Sequence, residues 1–70
     1  MNSHMEIYYT DASTGWVAVK VNEEGDHLGE GMYEFHRGEA IESAKRAEPN
    51  LEIQVFKKSG PINYTIAAAE

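Results

Sequence analysis

Apolar and polar residues alternate along most of this chain, and a period of two marks strands with one buried face. Met5 to Thr10 sets Met5, Ile7 and Tyr9 against Glu6, Tyr8 and Thr10, in a run rich in β-forming residues. The segment Asp11-Ala12-Ser13-Thr14-Gly15 has the short polar side chains and the glycine of a turn. A second run, Trp16 to Val21, then sets Val17, Val19 and Val21 against Trp16, Ala18 and Lys20. Together the two runs predict a β-hairpin. A polar turn, Asn22 to Asp26, leads to a third strand over about Glu30 to Phe35. Its Tyr33 and Phe35 match the core face, and Met32 and Glu34 point away.

The period then changes. Ala40, Ile41, Ala44 and Ala47 recur at helical spacing between Arg37 and Ala47, with Glu39, Glu42, Lys45 and Arg46 outside. Neither His36 nor Arg37 is a good N-cap residue, and Pro49 disfavours helical geometry at Glu48. So short a helix holds only by packing its alanine stripe on the sheet. Leu51 to Phe56 is the strongest strand signal, with Leu51, Ile53 and Val55 on one face and Glu52, Gln54 and Phe56 on the other. After the turn Lys57-Lys58-Ser59-Gly60, Pro61 opens a last strand whose Ile62, Tyr64 and Ile66 supply a buried face.

The order β-β-β-α-β-β predicts an α+β domain, a mostly antiparallel sheet of about five strands with one helix on one face. A right-handed crossover makes the fourth strand parallel to the first and third, in the expected sheet order 3-2-1-4-5. The predicted core is Ile7, Tyr9, Val17, Val19, Val21, Tyr33, Phe35, Ile41, Ala44, Leu51, Ile53, Val55, Ile62, Tyr64 and Ile66. Met1-Asn2-Ser3-His4, ahead of a second methionine, reads as an expression-vector remnant. The domain is then 5–66, with 67–70 a frayed tail.

Seventy residues allow one domain. The chain has no cysteine, hence no disulfide and no thiolate metal site. No run approaches the roughly 18 apolar residues of a membrane span, and no basic-then-apolar leader is present, so a cytoplasmic location is expected. Twelve acidic residues against six basic give a net charge of −6. That field repels nucleic acid and anionic membrane and attracts basic surfaces.

Candidate chemistry is sparse. His27 and His36 lack paired ligand spacing, and none of Ser13, Ser43 and Ser59 neighbours a histidine in sequence. Glu23-Glu24 and the pair Glu30 and Glu34 fall in turn and edge positions that favour solvation over acid–base work. The glycines form no phosphate loop. No catalytic, cofactor-binding or metal-ligating residue is assigned, and the chain is expected not to be an enzyme.

Two surfaces remain as candidate partner-binding sites. The face opposite the helix collects, by alternation, Tyr8, Trp16, Ala18, Met32, Gln54 and Phe56, with Lys20 and Glu34 beside them. Aromatic residues and methionine are enriched in interfaces, so Tyr8, Trp16, Met32 and Phe56 are assigned to a contact surface. The second is charge: Glu23, Glu24, Asp26, Glu30 and Glu34 hold five negative charges over twelve residues with no Lys or Arg among them. Such a patch steers association with a basic partner.

A resemblance adds to this. Gly15-Trp16-Val17-Ala18-Val19-Lys20, then Phe35 ahead of Glu39-Ala40-Ile41-Glu42-Ser43-Ala44-Lys45-Arg46, then Leu51-Glu52-Ile53-Gln54-Val55 and Gly60-Pro61-Ile62, form a recurring layout. It resembles a short bacterial domain-of-unknown-function family with the pattern GWxVK, F, EAIExAR, LxVxxxxGxI. Between Phe35 and Glu39 the chain departs from it, reading His36-Arg37-Gly38. The shared positions are mostly core and turn, so the resemblance implies a fold and brings no catalytic residues.

The expected function is a small non-enzymatic protein-interaction module without a cofactor. Its size and charge suit a phage or mobile-element inhibitor engaging a basic, nucleic-acid-handling protein. One alternative is a single-stranded nucleic-acid binder stacking bases on the aromatic face, with Lys20, Lys57 and Lys58 as its nearby cations. The other is a bacterial domain that forms a homodimer through that face.

Overall fold

A computed structural model describes residues 3–68. Its elements are β1 (His4–Tyr9), β2 (Trp16–Val21), β3 (His27–Glu34), α1 (Arg37–Ala47), β4 (Ile53–Phe56) and β5 (Ile62–Ile66). They form one five-stranded sheet in the order β3-β2-β1-β4-β5. All neighbours are antiparallel except β1 and β4, which run parallel, as a helical crossover between them requires. The expected class, element order and strand order are those observed.

Local chemistry explains the boundaries. Asp11 Oδ1 accepts from the backbone N–H groups of Ser13 and Thr14, both at 2.9 Å, and Gly15 N donates to Asp11 O at 2.7 Å. Thr10 N then donates to Gly15 O at 2.8 Å and closes the loop between β1 and β2. Helix α1 starts without a side-chain cap at His36 and stops at Glu48, whose N–H donates to Ala44 O at 2.9 Å. β1 begins at His4, which pairs with Val21 and bonds Glu6 Oε2 through Nε2 at 2.6 Å. The strand thus reaches into the segment read as a vector remnant. Met1 and Asn2, and the last two residues of the expected tail, lie outside the described residues.

The faces of β2 and β3 are the main correction. In the register Ile7 opposite Ala18 and Tyr9 opposite Trp16, the side of β2 shared with Met5 and Ile7 is Trp16 and Ala18, not the valines. The core under α1 comprises Met5, Ile7, Trp16, Ala18, Ala40, Ala44, Ile53 and Val55, with Tyr9, Met32, Ile41, Leu51 and Ile66 packed against it. Ala40 and Ala44 are wholly buried, so the helix backbone approaches the sheet and leaves the remaining space to Trp16. An indole removes far more apolar area from water than a valine, which favours placing it beneath the helix.

Several expected core residues therefore lie elsewhere. Val17 and Tyr33 share the opposite face, where Tyr33 is 60% exposed. Phe35, beyond the end of β3, is 65% exposed, and Ile62 and Tyr64 on the edge strand are also exposed. Val19 and Val21 are buried as expected, yet outside the cluster under the helix. The sheet's opposite face has a small apolar layer of its own.

Candidate functional site

The nine residues assigned to partner binding divide into three places. Tyr8 and Phe56 share the face away from the helix, stacked with ring centroids 4.7 Å apart. His27 stands 6.0 Å from Tyr8, and the Tyr8 hydroxyl donates to Glu6 Oε1. Trp16 and Met32 are not on that face. They pack beneath α1, where Trp16 meets the Tyr9 ring edge-on at 5.3 Å and lies 5.9 Å from the Arg37 guanidinium. Their assignment to an open contact surface is corrected: the indole of Trp16 fills the covered side of β2, and the register Ala18 opposite Met32 carries Met32 to the same side.

The five acids cluster around β3. Glu23, Glu24 and Asp26 project from the β2–β3 turn, which Asn22 organises: its Oδ1 accepts from Glu24 N and from Asp26 N, each at 2.9 Å. Asn22 N donates in turn to Asp26 O at 3.0 Å. The acidic side chains are thus held on a hydrogen-bonded turn and remain exposed. Beyond it, the β2–β3 register shifts between Ala18 and Lys20, a bulge at which Gly29 adopts φ 71°. Glu30 and Glu34 follow on the helix side of β3. Glu30 is exposed, and Glu34 accepts from Ser43 Oγ at 2.9 Å.

Glu34 also opens an acidic groove of about 510 Å³ between β3 and α1, shared with His36, Glu39, Glu42, Ser43 and Arg46. Among the described residues the ion pairs are His4–Glu6 and Lys20–Glu48, so no acid of the turn or of β3 has a cationic partner. Tyr33 lies on the other side of β3, and Phe35 continues the strand's line. Both aromatic rings escaped the sequence reading, which put them in the core. The signal available was the bulk of Trp16, which exchanges the faces of β2 and, through the register Ala18 opposite Met32 and Val17 opposite Tyr33, those of β3.

Other chemistry finds little support. Among the described residues no group of three His, Cys, Asp or Glu is placed to hold a metal. Ser43 bonds a carboxylate rather than an imidazole, and His36 lines the same groove without bonding Ser43. Among the described residues no helix is long and apolar enough to cross a membrane. Lys20 reaches Glu48 at 3.4 Å and Lys58 stands over the Tyr9 ring at 4.7 Å. Both contacts lie on the helix side of the sheet, away from the Tyr8–Phe56 stack.

No family model, no curated protein and no solved structure matches the chain.

What this surface can do follows from its own chemistry. A row of unpaired carboxylates attracts cations over a Debye length, roughly 8–10 Å at physiological salt. Exposed Tyr and Phe rings give apolar contact area at small cost in side-chain entropy, and their faces accept guanidinium and ammonium groups. Acids and rings on one edge suit a basic protein surface better than either would alone.

Proposed function

We propose that the chain is a non-enzymatic protein-interaction module that engages a basic protein surface through the β3 edge. The observation that carries this reading is the composition of that edge. Glu23, Glu24 and Asp26 at its turn end and Glu30 midway along it are exposed and have no ion-pair partner among the described residues. Tyr33 and Phe35 stand at its other end at 60% and 65% exposure. A partner whose basic surface ordinarily meets nucleic-acid phosphates fits this chemistry, because the acidic edge competes for the same Lys and Arg side chains. In that form the module acts as an inhibitor of a nucleic-acid-handling protein.

Direct binding of single-stranded nucleic acid gains less support. Tyr8 and Phe56 stack on each other, so one face of each ring is already occupied. Lys20 and Lys58 are engaged on the other side of the sheet, and the net charge of −6 opposes approach.

The test is affinity capture from a native-host extract with wild type, with Glu23→Lys/Glu24→Lys/Glu30→Lys, and with Tyr33→Ala/Phe35→Ala. Capture is run at about 0.05 M and 0.3 M salt, between which the Debye length falls from roughly 14 to 6 Å. A basic protein captured at low salt, weakened at high salt and lost in both variants is the expected result. Capture indifferent to salt and to the charge reversals overturns the reading.

A further inference from the structure

We propose that the opposite edge of the sheet, β5, is a self-association site. Two copies of the chain pair their β5 strands antiparallel about a two-fold axis at Thr65, and the two sheets become one.

The two edges differ in what guards them. Unpaired edges invite strand addition, and proteins blunt them with charges, bulges and distortion. β3 has a bulge at Ala18/Lys20, an exposed Glu30 and the acidic turn before it. β5 reads Ile-Asn-Tyr-Thr-Ile, without a charge, and Ala67 and Ala68 after it add none. Its own irregularity, between Val55 and Phe56, lies at the Ile62 end and leaves Tyr64 to Ile66 in regular register with β4.

Backbone directions identify the free groups. Met5 N donates to Glu52 O at 2.9 Å, which turns the peptide groups of Glu52 and Gln54 toward β1 and those of Ile53 and Val55 toward β5. Their partners Ile66 and Tyr64 therefore spend their N–H and C=O on β4. Thr65, between them, directs both groups away from the sheet. Across a two-fold axis Thr65 exchanges both hydrogen bonds with Thr65 of a second copy, and Tyr64 comes opposite the second copy's Ile66. Those are β-branched and aromatic–aliphatic pairs of the kind that stabilise antiparallel ladders.

The helix side of this edge is only partly covered, with the Arg37 guanidinium 5.9 Å from the Tyr64 ring. α1 packs principally on β1, β2 and β3. Tyr64 is left 40% exposed, and Leu51, Ile53, Ile66 and Ala67 line a groove of about 310 Å³ that Lys45 and Glu48 flank from the end of α1. Antiparallel pairing brings the second copy's Tyr64 and Ile66 alongside this groove.

Charge selects the same occupant. The acidic β3 edge lies four strand spacings from β5, about 19 Å, or some two Debye lengths at physiological salt. Two copies joined at β5 keep their acidic edges apart, whereas joined at β3 they would set Glu30 and Glu34 against themselves. An uncharged strand offers a basic partner nothing to recognise, but it matches itself. The acidic edges stay free at both ends of the joined sheet, so this inference stands independently of the partner reading.

Sedimentation velocity between about 10 μM and 1 mM, a range that spans weak specific association, tests it on wild type, Thr65→Pro and Thr65→Lys. Proline removes only the outward N–H and leaves the β4 ladder complete, while lysine sets like charges across the axis. Wild type is expected to pass from one chain, 7.8 kDa, to two. Both variants should keep the wild-type circular dichroism and remain single chains. As a readout that needs no variant, exchange of the Thr65 amide should slow at least about tenfold as the wild type dimerises. A wild type still monomeric at 1 mM, a dimer that persists in both variants, or Thr65 exchange independent of concentration overturns the proposal.

Discussion

Gly15 is a residue at which two constraints meet. Its φ of 76° is open to glycine and costly for other residues, and a Cβ built there would lie 2.7 Å from Phe35 Cα. Gly15→Ala is therefore expected to lose roughly 1–3 kcal/mol from backbone strain, with the β3 contact adding to it. Gly38, in the first turn of α1, has open space within 4 Å of where a methyl group would stand, and no unusual φ. Gly38→Ala should instead stabilise by roughly 0.4–1 kcal/mol. Urea denaturation of the two variants beside wild type reads both signs. Asp11 supplies a titration at the same turn. Four donors converge on its Oδ1: the Ser13 and Thr14 hydroxyls and their backbone N–H groups. They favour the ionised form and hold the pKa at about 2 against an ordinary 3.8, the Ser13 hydroxyl contributing most. Because the folded value is the lower, the stabilisation is complete above the unfolded pKa and is lost as pH falls through the folded one. Thermal melts should show the difference between wild type and Asp11→Asn greatest above about pH 4 and shrinking toward pH 2. A difference that stays constant across that range would refute the assignment.

At the scale of elements, β2 decides which surface is core and which is open. Trp16 is 7% exposed beneath α1, while Tyr33 on neighbouring β3 is 60% exposed on the other side. Trp16→Ala should cost roughly 3–5 kcal/mol, a large part of the roughly 3–10 kcal/mol available to a domain of this size. Tyr33→Ala and Phe35→Ala should each stay within about 1 kcal/mol of wild type. Midpoints of chemical denaturation distinguish these outcomes, and a mild Trp16→Ala would mean that α1 does not cover this face. The same strand shows why part of the fold was legible in sequence and part was not. Strand and helix positions came from periodicity and turn chemistry, and α1 spans Arg37–Ala47 as the alanine spacing predicts. Periodicity cannot say which side of a strand is buried when both are apolar, as with Trp16 and Ala18 against Val17, Val19 and Val21. The choice is made by register, through the Asp11–Gly15 turn that puts Ile7 opposite Ala18. That one alternation, misassigned, put Trp16 and Met32 on the contact face and Tyr33 and Phe35 in the core. The acidic residues were legible because charge in a turn and on an edge strand needs no register to be placed.

Across the whole molecule the sheet order separates charge from its absence. Glu23, Glu24, Asp26, Glu30 and Glu34 gather at the β3 edge, Glu39 and Glu42 line the groove beside it, and β5 at the far edge is uncharged. Like charges gathered at one edge repel one another, so this edge should be a source of instability in the free chain. The repulsion is between exposed charges, each contributing at most about 0.5 kcal/mol, and salt screens it. Raising salt from about 0.02 to 0.2 M should therefore raise the melting temperature of the free chain by a few degrees, given the roughly 4–8 °C per kcal/mol of a small domain. Glu24→Lys should raise the melting temperature at low salt and flatten its salt dependence. Lys45→Glu, on the exposed face of α1, should lower the melting temperature and steepen the dependence. Scanning calorimetry at the two salt concentrations measures all three. If the acidic edge serves recognition, the change that stabilises the free module must also weaken capture of a basic partner. Glu24→Lys improving both stability and capture would show that these charges are placed for solubility alone.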